Sequence, residues 1–208
     1  QLLGAHPDHV VLSEPPALDA ALALAAAGEG ERASARLRGL VAALGQPRRG
    51  DEKRLYVKLD CWHVADLARV RAAFPHVPWV FLFRDPVEIL VSWLREPGLQ
   101  VRGDDPRRCL GEPPGGTREE RAVAILGRIF ARALAGAGAG GLYVDYRELP
   151  GALTGRLAAH FGIEWTDSVR ERLHGLARID AKRPQFEFAA DAPDKQAAAD
   201  DALRALVA

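Results

Sequence analysis

Apolar positions along this chain alternate between two spacings. His9-Val10-Val11-Leu12, Leu55-Tyr56-Val57-Lys58-Leu59, Trp79-Val80-Phe81-Leu82-Phe83 and Leu142-Tyr143-Val144-Asp145-Tyr146 are short runs rich in β-branched and aromatic residues, and they predict strands. Between them the spacing widens to that of helices, at about 17–27, 31–44, 63–74, from 86 onward, 118–134, 150–161 and 167–176, with a last helix in the tail. Val64, Leu67, Ala68 and Val70 mark the apolar face of the third. Ser13-Glu14-Pro15-Pro16 ends the first strand, because proline has no ladder donor. Trp79–Phe83 is apolar on both faces, as expected for the buried centre of a parallel sheet. Asp85 then reads as an N-cap with Pro86 at the first helical position. This β-α-β-α alternation with short connections predicts an α/β fold, a parallel sheet covered by helices. With 208 residues, no internal repeat and no linker, one domain over 1–208 is expected.

The connections differ in character. Residues 95–118 are rich in Gly, Pro and charge and are long for a connection, which marks them as mobile or functional. Residues 135–141 are a low-complexity Ala-Gly run, and 180–193 are irregular and basic at their start.

Composition narrows the function. Formal net charge is zero, with 48% hydrophobic and 27% charged residues. No basic excess is available to displace counterions, so a nucleic-acid partner held by bulk charge is excluded. A local anion site needs only two or three placed cations. Cys61 and Cys109 form no CxxC pair and no zinc-ligand spacing with the six histidines, so a reducing, cytoplasmic setting is expected. No run reaches the roughly 20 apolar residues of a membrane span. The chain also contains no methionine, and it opens on Gln1-Leu2-Leu3-Gly4, which reads as the last turn of a helix with a glycine cap. Residues before Gln1 are therefore expected; removal of an initiator from a complete protein is the alternative.

Chemistry concentrates at Phe83-Arg84-Asp85-Pro86-Val87-Glu88-Ile89-Leu90-Val91-Ser92. An arginine that follows a buried strand emerges at the carboxyl edge of the sheet, where open α/β folds place ligands. Ser92 lies two helical turns beyond Asp85 on nearly the same face, so a guanidinium and a hydroxyl can converge on one phosphate. The competing reading pairs Arg84 with a helix acid and leaves Ser92 simply exposed.

Arg84-x7-Ser92 with Asp85-Pro86 resembles the motif by which sulfotransferases grip the 3′-phosphate of their sulfuryl donor. Leu142-Tyr143-Val144-Asp145-Tyr146-Arg147-Glu148-Leu149 is similar to that family's strand-Tyr-Glu-Asp-Leu segment, with Arg147-Glu148 in place of Glu-Asp. Leu157 to Ile163, Ala5-His6-Pro7 and Ser13-Glu14-Pro15 resemble further segments, in the family order and over nearly the whole chain. The resemblance implies a three-layer sandwich of P-loop NTPase type, with a central parallel sheet flanked by helices. It implies transfer of a sulfuryl group from 3′-phosphoadenosine 5′-phosphosulfate to a hydroxyl or amine of a small-molecule acceptor, releasing adenosine 3′,5′-bisphosphate, with no metal. It assigns donor binding to Arg84, Ser92 and Tyr146, and to Lys182 and Arg183 in the basic segment. The family's Arg-Lys-Gly signature is absent, and Lys195 is a distant stand-in.

The family's Gly-Ser/Thr loop for the 5′-phosphosulfate has no counterpart in the chain; Gly28-Glu29-Gly30 follows a helix and reads as a plain loop. The family order places that loop before Gln1. Lys58-Leu59-Asp60 stands where many members carry Lys-x-His, with the histidine as base. Alternation puts Lys58 and Asp60 on one side of the strand. Asp60 and His63 are the candidate bases; an N-cap role for Asp60 and a surface role for His63 compete with that reading. Trp62 is expected in the core, and Glu14 either faces the acceptor or caps the next helix. The alternatives to an enzyme of this kind are a non-catalytic nucleotide-binding remnant and a P-loop kinase-like phosphotransferase.

Overall fold

A computed structural model describes residues 1–27, 30–102, 110–111, 115–136, 138, 140–181 and 183–207. The four expected strands all form: β1 (His9–Ser13), β2 (Arg54–Lys58), β3 (Trp79–Phe83) and β4 (Gly141–Asp145). The helices are α1 (Pro16–Ala27), α2 (Glu31–Leu44), α3 (Leu67–Ala73), α4 (Pro86–Arg95), α5 (Leu99–Arg102), α6 (Arg118–Ala135), α7 (Gly151–Thr154), α8 (Arg156–Phe161), α9 (Asp167–Ala177), α10 (Ala192–Ala198) and α11 (Asp201–Val207).

Local chemistry sets several of these boundaries. Asp85 caps α4 as expected, its Oδ1 accepting the Val87 N–H at 2.9 Å, with Pro86 just inside. α6 starts on a capping box, with Thr117 N–H donating to Glu120 Oε2 at 2.7 Å and Glu120 N–H to Thr117 Oγ1 at 3.2 Å. The helix expected over 63–74 is instead a 3₁₀ turn, Cys61–Asp66, followed by α3. The one expected over 150–161 breaks at Gly155 into α7 and α8. The opening residues form a 3₁₀ turn, Leu2–Ala5, that contains Gly4 rather than ending on it.

Sheet organisation departs from the expectation. β1 pairs with β2 and β3 with β4, both parallel, with His9 opposite Arg54 and Trp79 opposite Gly141. Among the described residues these are two separate two-stranded sheets, not one central sheet. The fold is mixed α/β and mostly helical. Period and alternation foretell strands and their parallel direction; they do not say which strands become neighbours, and here β2 and β3 do not pair.

The two sheets lean on a shared core. Val144 of β4, with Val80 of β3 and Tyr56 of β2, packs with Leu153, Leu157, Trp165 and Leu173 from α7 to α9. α1, α2 and α3 meet around Leu18, Leu22, Leu37 and Ala73. α4 and α6 join through Leu90, Val91, Ala122 and Leu126, closed by Leu203 of α11. Trp62 is core, as expected, packed with Ile125 and Ile129. β3 is less covered than its apolar sequence predicts. Leu82 is 45% exposed. Phe81, Phe83, Phe130, Ala133, Leu134 and Tyr143 line an apolar groove of about 220 Å³. No helix among the described residues is long and apolar enough to cross a membrane.

Candidate functional site

The register of β3 and β4 builds the first centre. Phe83 lies opposite Asp145, so the next residues, Arg84 and Tyr146, leave the sheet side by side. The Arg84 guanidinium sits 5.3 Å from the Tyr146 ring centroid, a cation–π distance. Tyr146 itself opens a 3₁₀ turn, Tyr146–Glu148, just past the strand in which it was expected.

Arg84 has two acidic partners. Its Nε bonds Glu88, one turn into α4, and its Nη2 reaches Asp191 Oδ1 at 2.6 Å. The pairing with a helix acid is the arrangement set against phosphate binding above, and it is present. Asp191 also accepts from Lys195 Nζ at 2.8 Å, and Gln196 donates to Glu88 Oε1 at 3.3 Å. Burial works against the charge on Arg84, but its bonds to Asp191 and Glu88 outweigh that and raise its pKa. α10 thus delivers Lys195, a buried lysine, to the arginine at the sheet edge.

Other expected donor-binding residues stand apart. Ser92 is half-buried one turn beyond Glu88, about 6 Å further along the axis. No hydrogen bond joins it to Arg84 among the described residues. Arg183 is exposed, bonded to Asp180 and laid over the Phe186 ring at 5.6 Å. Lys182 and Cys109 lie outside the described residues.

A second centre forms at the carboxyl ends of β1 and β2. Ser13 lies opposite Lys58, so the chain turns at Glu14 beside the lysine. Glu14 N–H donates to the Lys58 carbonyl at 2.8 Å, and the Glu14 carboxylate pairs with Lys58 Nζ. Glu14 has φ of 49°, the left-handed region that a side chain disfavours. Strain of this kind collects at functional sites.

Asp60 and His63 form a reciprocal capping box on the turn that follows β2. The Asp60 N–H donates to His63 Nδ1 at 3.2 Å, while the Asp60 carboxylate faces the His63 backbone. Asp60 is therefore an N-cap, one of the roles expected for it. His63 is 5% exposed, so the surface role does not hold. Its Nε2 faces Asp19 Oδ1 across 2.7 Å. Each of Asp19, Asp60 and His63 offers one ligand atom, all within 4.8 Å of one another. The donor set nevertheless fits a metal poorly. With Nδ1 accepting from Asp60, the neutral ring carries its proton on Nε2, where an ion would need a lone pair.

Asp191 and Asp19 were missed by the sequence reading. Nothing local marks Asp191, which lies 107 positions from Arg84. Asp19 did carry a signal, as the one charged residue in the α1 segment PALDAALALAAA.

Comparison with protein-family models gives no match, and comparison with curated proteins gives none.

Proposed function

We propose that the protein transfers a sulfuryl group from 3′-phosphoadenosine 5′-phosphosulfate to a hydroxyl or amine of a small-molecule acceptor. The observation that carries this reading is the Arg84 centre. Strand register, the Asp85-Pro86 cap and α10 bring Arg84, Tyr146 and Lys195 to one sheet edge. Two cations beside an aromatic ring suit a phosphorylated ribose next to a base.

In this reading Arg84 and Lys195 bind the 3′-phosphate, and Ser92 supplies a hydroxyl from the next turn of α4. The acceptor oxygen or nitrogen attacks sulfur in line with the departing phosphate oxygen. The S–O bond to adenosine 3′,5′-bisphosphate breaks as the new bond to sulfur forms. A carboxylate takes the acceptor proton, and Lys58 offsets the charge that develops on the leaving group. Both ring nitrogens of His63 are turned to Asp60 and Asp19, which favours Asp60 as the base over His63. Glu14, beside Lys58 at the strand ends, is a second carboxylate for the role.

The finer architecture is part of the proposal. The two strand pairs would be halves of one parallel sheet of P-loop NTPase type. The uncovered Leu82 and the groove beside Phe81 and Phe83 support this, because apolar surface of that kind calls for a further packed element.

One observation weighs against the donor site: Arg84 is already paired with Glu88 and Asp191. Calorimetric titration of the full-length protein with adenosine 3′,5′-bisphosphate and 5′-AMP tests the donor site. Preference for the bisphosphate is expected, and equal affinity would remove the basis for the proposal. Transfer of radiolabelled sulfur from the donor to a panel of alcohols, phenols and amines then separates enzyme from binder.

A further inference from the structure

Two carboxylates meet Arg84, and they differ in character. Glu88 is 3% exposed, and both of its oxygens are held, one by Arg84 Nε and one by the Gln196 amide. The Asp191 side chain is 52% exposed. Its Oδ1 lies 2.6 Å from Arg84 Nη2 and its Oδ2 lies 2.8 Å from Lys195 Nζ. One carboxylate thus spans two cations with one oxygen on each, as two oxygens of a phosphate monoester would. Asp191 also occupies the N-cap position of α10, where an aspartate ordinarily bonds the first N–H groups of its helix. It makes no such bond. Its carboxylate is turned to the cations instead.

We propose that Asp191 is a built-in anion that fills the Arg84–Lys195 site, and that a phosphate monoester binds there by exchanging with it. This rests on the reading of Arg84 and Lys195 as phosphate ligands. Arg84 and Lys195 bring two positive charges, and Glu88 and Asp191 bring two negative ones. When Asp191 swings out, a dianionic phosphate replaces its single charge and supplies an oxygen to each donor. Glu88 stays, because it is buried and bonded on both sides. The Glu88–Gln196 bond keeps α10 docked on α4 during the exchange.

Burial works against ionisation of Asp191, but bonds from Lys195 and Arg84 outweigh it and hold its pKa below the ordinary carboxylate value. The competitor is therefore charged at neutral pH. A ligand must break two charge-assisted bonds to enter. A monoanionic ligand gains nothing over Asp191 itself, so the exchange selects for a doubly charged, tetrahedral group.

The test is calorimetric titration of the full-length wild type, Asp191→Asn and Asp191→Glu with adenosine 3′,5′-bisphosphate, 5′-AMP and inorganic sulfate. Asp191→Asn is expected to bind the bisphosphate about tenfold more tightly. It should gain sulfate binding, while Asp191→Glu behaves as wild type. Asp191→Ser serves as a second uncharged variant if the asparagine form does not fold. A wild type that prefers the bisphosphate, with variants that bind it equally or more weakly, overturns the exchange and leaves the proposed function standing. Bisphosphate no better than 5′-AMP throughout, with sulfate binding gained in the uncharged variants, supports the exchange at an anion site and removes the 3′-phosphate reading. No gain for either anion in the uncharged variants overturns the exchange.

Discussion

Gln196 donates its side-chain amide to Glu88 at 3.3 Å across 108 positions of sequence, and that bond ties α10 to α4 beside Arg84. Glu88 also takes the Arg84 Nε and is buried. Truncating it leaves a half-buried guanidinium and a half-buried amide with one partner fewer each. Glu88→Ala should therefore lower stability by about 2 kcal/mol, within the range for a lost hydrogen bond to a charged group. Urea unfolding measures this. A loss under about 1 kcal/mol would show the pair to be screened like a surface one.

Arg84→Ala removes the proposed 3′-phosphate ligand. Affinity for adenosine 3′,5′-bisphosphate should fall by about 1.5–3 kcal/mol, the range for a charge-assisted bond. Affinity for 5′-AMP should hardly move. An unchanged dissociation constant in a folded variant would take Arg84 out of the site.

The base is distinguished by kinetics. Asp60→Asn should lower turnover by about 100-fold or more while donor affinity stays nearly intact. If Asp60 is only the cap that the turn shows, Asp60→Asn keeps turnover and Glu14→Gln loses it instead. Retention of turnover in both variants would return the role to His63.

His9 sets an acid limit on stability. It is buried against Tyr56, with a ring-centroid distance of 4.6 Å, and its Nδ1 bonds the Leu3 carbonyl at 2.8 Å. Burial lowers its pKa below the ordinary 6.5; the Leu3 carbonyl pushes the other way without overcoming it. Below pH 6.5 the unfolded chain takes up a proton that the folded residue resists, so the unfolded state gains. The His9 contribution is complete above that pH and is lost as pH falls towards the folded value. His9→Gln should flatten the stability profile in this window. A slope unchanged in the variant would assign the acid sensitivity to another group.

Much of the local structure was legible because single residues dictate it. Asp85-Pro86 announced the start of α4, and the apolar run at 79–83 announced β3. The 3₁₀ turn at Cys61–Asp66 was not legible, since its apolar spacing imitates a longer helix and only the Asp60–His63 capping box tightens it. The division into two sheets was hidden for a different reason, because strand neighbours depend on contacts far apart in sequence. The site divides in the same way. Arg84 and Tyr146 follow from strand ends, whereas Asp191 and Lys195 arrive only when α10 packs on α4.

Glu14 carries one more consequence. Glycine adopts φ of 49° freely, whereas a glutamate held there costs on the order of 1–3 kcal/mol. Substitution by glycine at this position should therefore give a firmer fold and an emptier strand end, with Lys58 left facing solvent alone. Selection for heat resistance would favour that change. Under the proposal in which Glu14 serves as the base, selection for turnover would oppose it, and position 14 is then where the two kinds of selection part company.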